Sequence, residues 1–410
     1  MVEPRLAAPA ARLEPDDPRP PRIGLLPLFL RFLRFGALAF GGPVAQIAMI
    51  RHELVERERW MSSRRFNRLL AVMQALPGPE AHELCVHMGV RARGRIGGLL
   101  AGLGFMLPGF LLMLAAAWAW FRFDVGQGAF AAALLGAQAA VIGLIARAVE
   151  RIGRHILVAR SLWLVAALAL PATLAGVPFW VVLPAGAVVH GLAATGRRGS
   201  ALAVLAGAVA GSALWLLRPA APSASDVAVA APVLASAAAL FLTGLKAGLL
   251  TFGGAYTAIP FVRADVVQRG WMSDATFLDG VVLANIIPAP LVIFGTFVGY
   301  AAGGFPGALA VTAGVFLPAF AFSMVLHDRL EQVVETPAVH AVLDGVAGAV
   351  VGIIAATVIQ LAGGVAGPGA AWPLLAIGGL ALAAAWTWKS RYAAPVILAA
   401  AAVAGQLWLG

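Results

Sequence analysis

The stretch "LAFGGPVAQ" spans residues 38–46, and "LLTFGGAYT" spans 249–257. Each places Phe-Gly-Gly inside an apolar run long enough for a membrane helix. In a helix interior, glycine and proline cost about 1 and 3 kcal/mol relative to alanine. A break there leaves backbone N–H and C=O groups unpaired where water is scarce. Membrane proteins tolerate this where the backbone is buried in protein or lines an aqueous site. The same break made twice reads as the frame of a binding site, built once per half. Close helix packing at Gly-Gly and a simple proline kink form the alternative reading.

The composition fits a membrane setting. Of 410 residues, 61% are hydrophobic and 12% charged. Such a chain cannot cover a soluble surface with polar groups. Apolar runs near or above the roughly 18–20 residues that cross a bilayer recur along it. The short alternating segments of a barrel are not what the sequence shows. The expected fold class is an all-α polytopic membrane protein. The net charge of +10 invites a nucleic-acid reading. However, the Arg residues cluster in short gaps between apolar runs, as in cytoplasmic loops. Cys85 is the only cysteine, which excludes an intrachain disulfide. In "HELCVH" (82–87) the second His falls at i+5, not the i+4 that a zincin helix needs. No metal and no cofactor are expected. Residues 1–23, rich in Pro, Arg and Ala, read as a disordered tail rather than a cleaved signal.

The two halves repeat. Phe40-Gly41-Gly42 matches Phe252-Gly253-Gly254, and "WMSSRRF" (60–66) matches "WMSDATF" (271–277). "LPGPE" (76–80) matches "IPAPL" (287–291). Gly94 and Gly97 match Gly304 and Gly307, and "MLPGF" (106–110) matches "FLPAF" (316–320). "AAVIGLI" (139–145) matches "GAVVGII" (348–354), and the offset drifts only from 212 to 209. The expected division is an N-terminal transporter repeat at 24–217, a turn-rich linker at 218–232 and a C-terminal repeat at 233–410.

Charge sets the orientation of each copy. The gap 51–68 holds six Arg, whereas its partner at 263–279 holds Arg263 and Arg269 with three Asp. "RARGR" (91–95) has three Arg, and its partner near 300–306 has none. By the positive-inside rule the second copy is inverted. Both 51–68 and 91–95 are Arg-rich, although one apolar run separates them. Broken hairpins over 25–50 and 68–90, entering and leaving on one side, reconcile the two. The expectation is two inverted-topology repeats with broken or re-entrant helices, the plan of many secondary transporters.

A half-helix N-terminus offers free N–H groups and positive potential, which suit an anion. The candidate substrate-binding residues are therefore Phe40, Gly41, Gly42, Pro43, Pro77, Gly78 and Pro79, with Phe252, Gly253, Gly254, Pro288 and Pro290. Arg34 and Lys246 each lie six residues before their Phe-Gly-Gly. Paired cations suit a dianion, and snorkelling to the headgroups is the alternative. Gln74 and Asn285, just upstream of the later breaks, are candidate donors to an oxyanion. Glu80 and Glu83 are the acids nearest Pro-Gly-Pro and the candidates for proton coupling. An acid in a first helical turn also simply complements the dipole. His82 and His87 read as packed groups, and Trp60 and Trp271 as interfacial anchors.

At these motifs the chain resembles the chromate ion transporter family. The residues carrying the resemblance are Phe40 to Pro43, Glu53 to Val55 with Trp60, Leu76 to Pro79, Gly94 with Gly97, and Phe105 with Pro108. In the second half they are "KAGLLTFGG" (246–254), "FVGY" (297–300) and "FLPAF" (316–320). The resemblance implies a two-domain, antiparallel, multi-pass transporter of a bacterial-type inner membrane. It implies export of chromate from the cytoplasm by proton antiport. Its partners would be a small oxyanion, protons and the lipid bilayer, with no nucleic acid. Two departures stand out: Pro-Ala-Pro at 288–290, and Glu83 where a Gln-like residue is expected. Chromate and sulfate are both tetrahedral dianions, so a transporter of sulfate or another oxyanion, by uptake or exchange, stays open. A passive anion channel and an intramembrane enzyme are the remaining alternatives. No nucleophile–base pair with sensible spacing supports the enzyme. The sequence does not set the oligomeric state.

Overall fold

A computed structural model describes residues 18–216, 235–325, 336–365 and 371–410. The linker expected at 218–232 and residues 1–17 of the expected tail lie outside the described residues. The described chain is helical, with no strand among the described residues. The first repeat comprises α1 (Leu25–Ala37), α2 (Gly42–Ile50) running into a π-helical turn (Arg51–Arg57), α3 (Ser63–Ala75) and α4 (Glu80–Arg122). The second comprises α9 (Ala237–Leu249), α10 (Ile259–Gln268), α11 (Asp274–Ile286) and α12 (Phe294–Val325). The first repeat continues through α5 (Ala131–Ile156), α6 (Arg160–Leu174), α7 (Phe179–Ala194) and α8 (Arg198–Leu216). The second continues through α13 (Pro337–Val365), α14 (Ala371–Thr387) and α15 (Ala393–Leu409). Among the described residues, four helical stretches are long and apolar enough to cross a membrane: Glu80–Arg122, Ala131–Ile156, Leu291–Val325 and Val339–Val365.

The longest stretch is not one rod. At about 1.5 Å per residue, 43 helical residues would reach about 64 Å, twice a bilayer core of about 30 Å. The chain instead reverses at Arg93 (φ −143°, ψ 29°) and Gly94 (φ 62°, ψ −160°). The second repeat reverses identically at Gly303 (φ −154°, ψ 20°) and Gly304 (φ 61°, ψ −154°). This positive-φ, extended-ψ region is open essentially only to glycine. Beyond each turn the two limbs pack backbone to backbone. A Cβ on Gly89 would strike the Gly97 carbonyl, and the reverse; Gly299 and Gly307 repeat the arrangement. Small residues at such crossings let membrane helices approach without a hydrophobic drive.

The short segments are re-entrant. Arg31 of α1 pairs with Glu58, and its guanidinium lies 5.6 Å from the Trp60 ring centroid. Arg91, beside the turn at 93–94, donates to the Trp60 carbonyl at 3.3 Å. So α1 and α2 go in and come back, α3 and the first limb of α4 do the same, and all return to one level. The Arg-rich gaps 51–68 and 91–95 thereby share a side, as charge required.

The copies run in opposite senses. The second limb of α4 meets Phe320 at Gly102 and the Phe297 and Tyr300 rings at Phe121. Its start therefore faces the end of α12, and its end faces the α12 turn. Within each repeat the entry helix lies along the second limb, with Gly36 on Phe105 in one and Gly248 on Val315 in the other. The helix α5 then packs beside α14, with Gly143 against Gly378 and Arg147 4.9 Å from the Trp386 ring centroid.

Candidate functional site

Four backbone breaks meet at the centre of the molecule. They are 38–41 and 76–79 in the first repeat, with 250–254 and 287–290 in the second. The Gly78 N–H donates to the Thr251 carbonyl at 2.8 Å, joining one break from each copy. The Gln46 amide donates to Ala39 O at 2.9 Å and Ala289 O at 3.0 Å, joining the other two. Buried carbonyls freed by the breaks are thus partly satisfied across the repeat boundary, as low polarity requires.

Two adjoining cavities open beside these breaks. The smaller, of about 140 Å³, is lined by Gly41 and Gly42 at the start of α2 and by Ala289 and Leu291 before α12. Arg147, Arg151, Tyr256, Asn285, Trp388 and Ser390 complete much of its wall. The larger, of about 290 Å³, is lined by Pro43, Gln74, Glu80 at the start of α4, and Gly253 and Gly254 before α10. Arg151, His155 and Tyr256 also line it. All four half-helix starts therefore border a cavity, and Arg151 and Tyr256 belong to both. An apolar groove of about 280 Å³ among α6, α7 and α8 is far from this chemistry in character, with Ser212 its one hydroxyl.

The sequence-expected residues divide by position. Gly41, Gly42, Pro43, Gln74, Glu80, Gly253, Gly254 and Asn285 line the cavities. Asn285 accepts from the Tyr256 hydroxyl at 2.8 Å and donates to Val281 O at 2.9 Å, so its orientation is fixed. Pro77, Gly78, Pro79, Phe252 and Pro290 are buried in the breaks, and Pro288 is half-buried there. The Phe40 ring lies 5.7 Å from Tyr392 in the turn between α14 and α15. Glu83 is 1% exposed, and its carboxyl fills the space a Gly78 side chain would occupy. His82 packs among Phe105, Phe316 and Phe320. Arg34 and Lys246 do not line either cavity. Arg34 is exposed in the last turn of α1, and Lys246 pairs with Asp265 while its Nζ sits 4.7 Å from the Phe179 ring centroid.

The cation that does line the cavities escaped the sequence reading. Arg147, Arg151 and Arg154 sit at i, i+4 and i+7 on α5, one face of one helix. Arg147 and Arg154 share Glu150. Arg151 makes no hydrogen bond or ion pair among the described residues and faces open space. The signal available was this i, i+4, i+7 spacing on one apolar run. At a repeat offset of 209, Arg151 corresponds to Gln360, which accepts from Arg263 at 2.8 Å. Chemically, a free guanidinium, half-helix N–H groups and two amides form an anion-binding set.

Comparisons with known proteins agree with this architecture. A family profile described as "Chromate transporter" matches residues 26–192 and 238–406, one segment per repeat. The "Chromate transport protein" of Pseudomonas aeruginosa is 56% identical over 395 residues, covering 95% of this chain and 93% of that protein. The protein of the same description from Cupriavidus metallidurans is 33% identical over 351 residues, covering 83% and 84% respectively. An uncharacterized transporter of Methanocaldococcus jannaschii is 30% identical over 72% of this chain and 74% of its own length. No solved structure matches. With both repeats matched and such identity over nearly its whole length, this chain belongs to the chromate transporter family, as a membrane transport protein and not an enzyme.

Proposed function

We propose that the protein exports chromate from the cytoplasm across a bacterial-type inner membrane, in exchange for protons. The observation that carries this reading is Arg151, free of any hydrogen bond or ion pair among the described residues and shared by two cavities that all four half-helix starts border. A dianion there meets one full positive charge and several oriented N–H groups in a confined site. Gln74 and Asn285 add directional amide donors, and the Tyr256 hydroxyl, by donating to Asn285, holds that amide in place. Glu80 borders the larger cavity and Glu83 lies one helical turn further along, so both serve as proton carriers. The Arg-rich loops at 51–68 and 91–95 face the cytoplasm.

Direction follows from charge. A dianion leaving a negative-inside cell gains about 2.3 kcal/mol per charge per 100 mV. Export is electrically downhill, and inward protons add to the drive. Uptake would need several coupled cations.

The test is labelled chromate uptake into everted inner-membrane vesicles under an imposed pH gradient, with and without excess sulfate. Everted uptake reports cellular export. Saturable, gradient-dependent uptake supports the reading, and inhibition by sulfate marks a shared oxyanion site. Uptake no greater than in vesicles lacking the protein, with insertion verified, overturns chromate export. Linear, non-saturating flux indicates a channel.

A further inference from the structure

We propose that Glu80 is a tethered carboxylate that competes with the transported dianion for the Arg151 guanidinium. The inference rests on the reading of Arg151 as the substrate cation. Glu80 and Arg151 line the same cavity and lie within electrostatic range of each other. Neither makes a hydrogen bond or ion pair to any described residue. Glu80 is 6% exposed, so its carboxyl has little other than that cavity to face.

A buried carboxylate needs a compensating charge, and a guanidinium beside it supplies one. When the dianion is absent, Glu80 is the counter-charge for Arg151. When the dianion binds, it takes that role with two charges and more acceptor oxygens. A carboxylate left beside a dianion is strongly repelled, and taking up a proton removes the repulsion. Dianion binding and protonation of Glu80 therefore favour each other. Linkage of this sign loads proton and dianion together, so it sets the pH dependence of anion binding, whereas the exchange itself needs a proton taken up after the dianion has left.

The other groups facing Glu80 are Glu83 on its own helix, His155 on α5, Gln74 on α3 and Tyr256 of the second repeat. Of these, Glu83 carries an ionisable carboxyl and His155 an ionisable imidazole. The second repeat lacks the device. At an offset of 211, Glu80 corresponds to Leu291 and Glu83 to Phe294. The tethered competitor is thus a property of one copy.

The experiment is equilibrium binding of labelled chromate to the purified full-length protein, across mildly acidic to mildly alkaline pH. Chromate itself protonates in this range, equally for every variant, so the readout is the difference between variants. In the wild type, Kd should rise with pH by up to about tenfold per unit more than in Glu80→Gln, the limit for one linked proton. Glu80→Gln should bind at alkaline pH as tightly as the wild type does at acidic pH. Glu80→Asp and His155→Gln should keep the wild-type slope. A Glu80→Gln protein with the wild-type slope, or with weaker binding throughout, overturns the competition. A His155→Gln protein that loses the slope moves the proton to His155 and also overturns it. Arg151→Gln binding as well as wild type, or no saturable binding by the wild type, overturns the substrate site itself.

Discussion

The Gly78 N–H donates to the Thr251 carbonyl at 2.8 Å, tying the later break of the first repeat to the earlier break of the second. Gln46 makes the reciprocal tie to Ala289 at 3.0 Å. The four breaks are thus cross-linked in pairs, and each pair contains one segment from each repeat. A movement of one repeat against the other has to pass through these bonds.

Replacing Gln46 with Leu removes two bonds at once and strands the Ala39 and Ala289 carbonyls. Leaving a buried polar group unpaired costs about 1–3 kcal/mol. The expected outcome is an inserted protein with a lower thermal midpoint in detergent and at least a several-fold loss of chromate flux. A wild-type midpoint would show that the tie is dispensable.

Gly78→Ala should be worse. Gly78 has φ +150°, and an added Cβ would collide with the Glu83 carboxyl. Backbone strain of this type costs about 1–3 kcal/mol. Transport should be lost, and a second change, Glu83→Ala, should recover part of the thermal stability. No recovery would place the defect in the backbone alone.

The two hairpin turns give a matched pair. Gly94→Ala and Gly304→Ala both force a side chain into φ near +62° with extended ψ. Nothing lies within 4 Å of a Cβ at Gly94, so strain there is conformational rather than steric. Each variant should lose similar stability, about 1–3 kcal/mol. Unequal losses in unfolding experiments would mean that the repeats do not share the turn's energetics.

Lys246 and Asp265 should behave as a pair. Lys246→Ala should abolish transport while the protein still inserts. The energy involved falls below the about 3–5 kcal/mol of a fully buried pair, because the Lys246 side chain keeps 26% of its surface exposed. If Lys246 acts by bracing α9 against α10, then Asp265→Asn in the Lys246→Ala background should restore measurable flux. A double variant as inactive as the single one would make Lys246 a direct substrate contact.

Much of this was legible because broken helices and duplication leave marks in sequence. Phe-Gly-Gly, Pro-x-Pro and Gly-x-x-Gly recur in order, and glycine and proline have few other uses inside an apolar run. Arg counts in matching gaps gave the inversion and, through the conflict between 51–68 and 91–95, the re-entrant hairpins. The reversal at Gly94 was less legible, since one glycine in a helix does not announce a turn. The site was read through its backbone, and Gly41, Gly42, Gly253 and Gly254 do border the cavities. Its cation was not. Symmetry drew attention to Arg34 and Lys246, whereas Arg151 has a glutamine at the equivalent position. Tyr256 was missed for the same reason, as its counterpart is Val44.

That asymmetry has a thermodynamic meaning. In a perfectly duplicated inverted pair, the state open to one side would be the mirror of the state open to the other. The two would be equal in energy, and the resting protein would favour neither face. Arg151 against Gln360 and Glu80 against Leu291 remove that degeneracy. Each conformer then presents the dianion with a different set of charges, so the resting population tilts toward one side of the membrane. In an exchanger of the kind proposed, the duplication supplies the two mirrored conformers and the unmatched residues give it a preferred end.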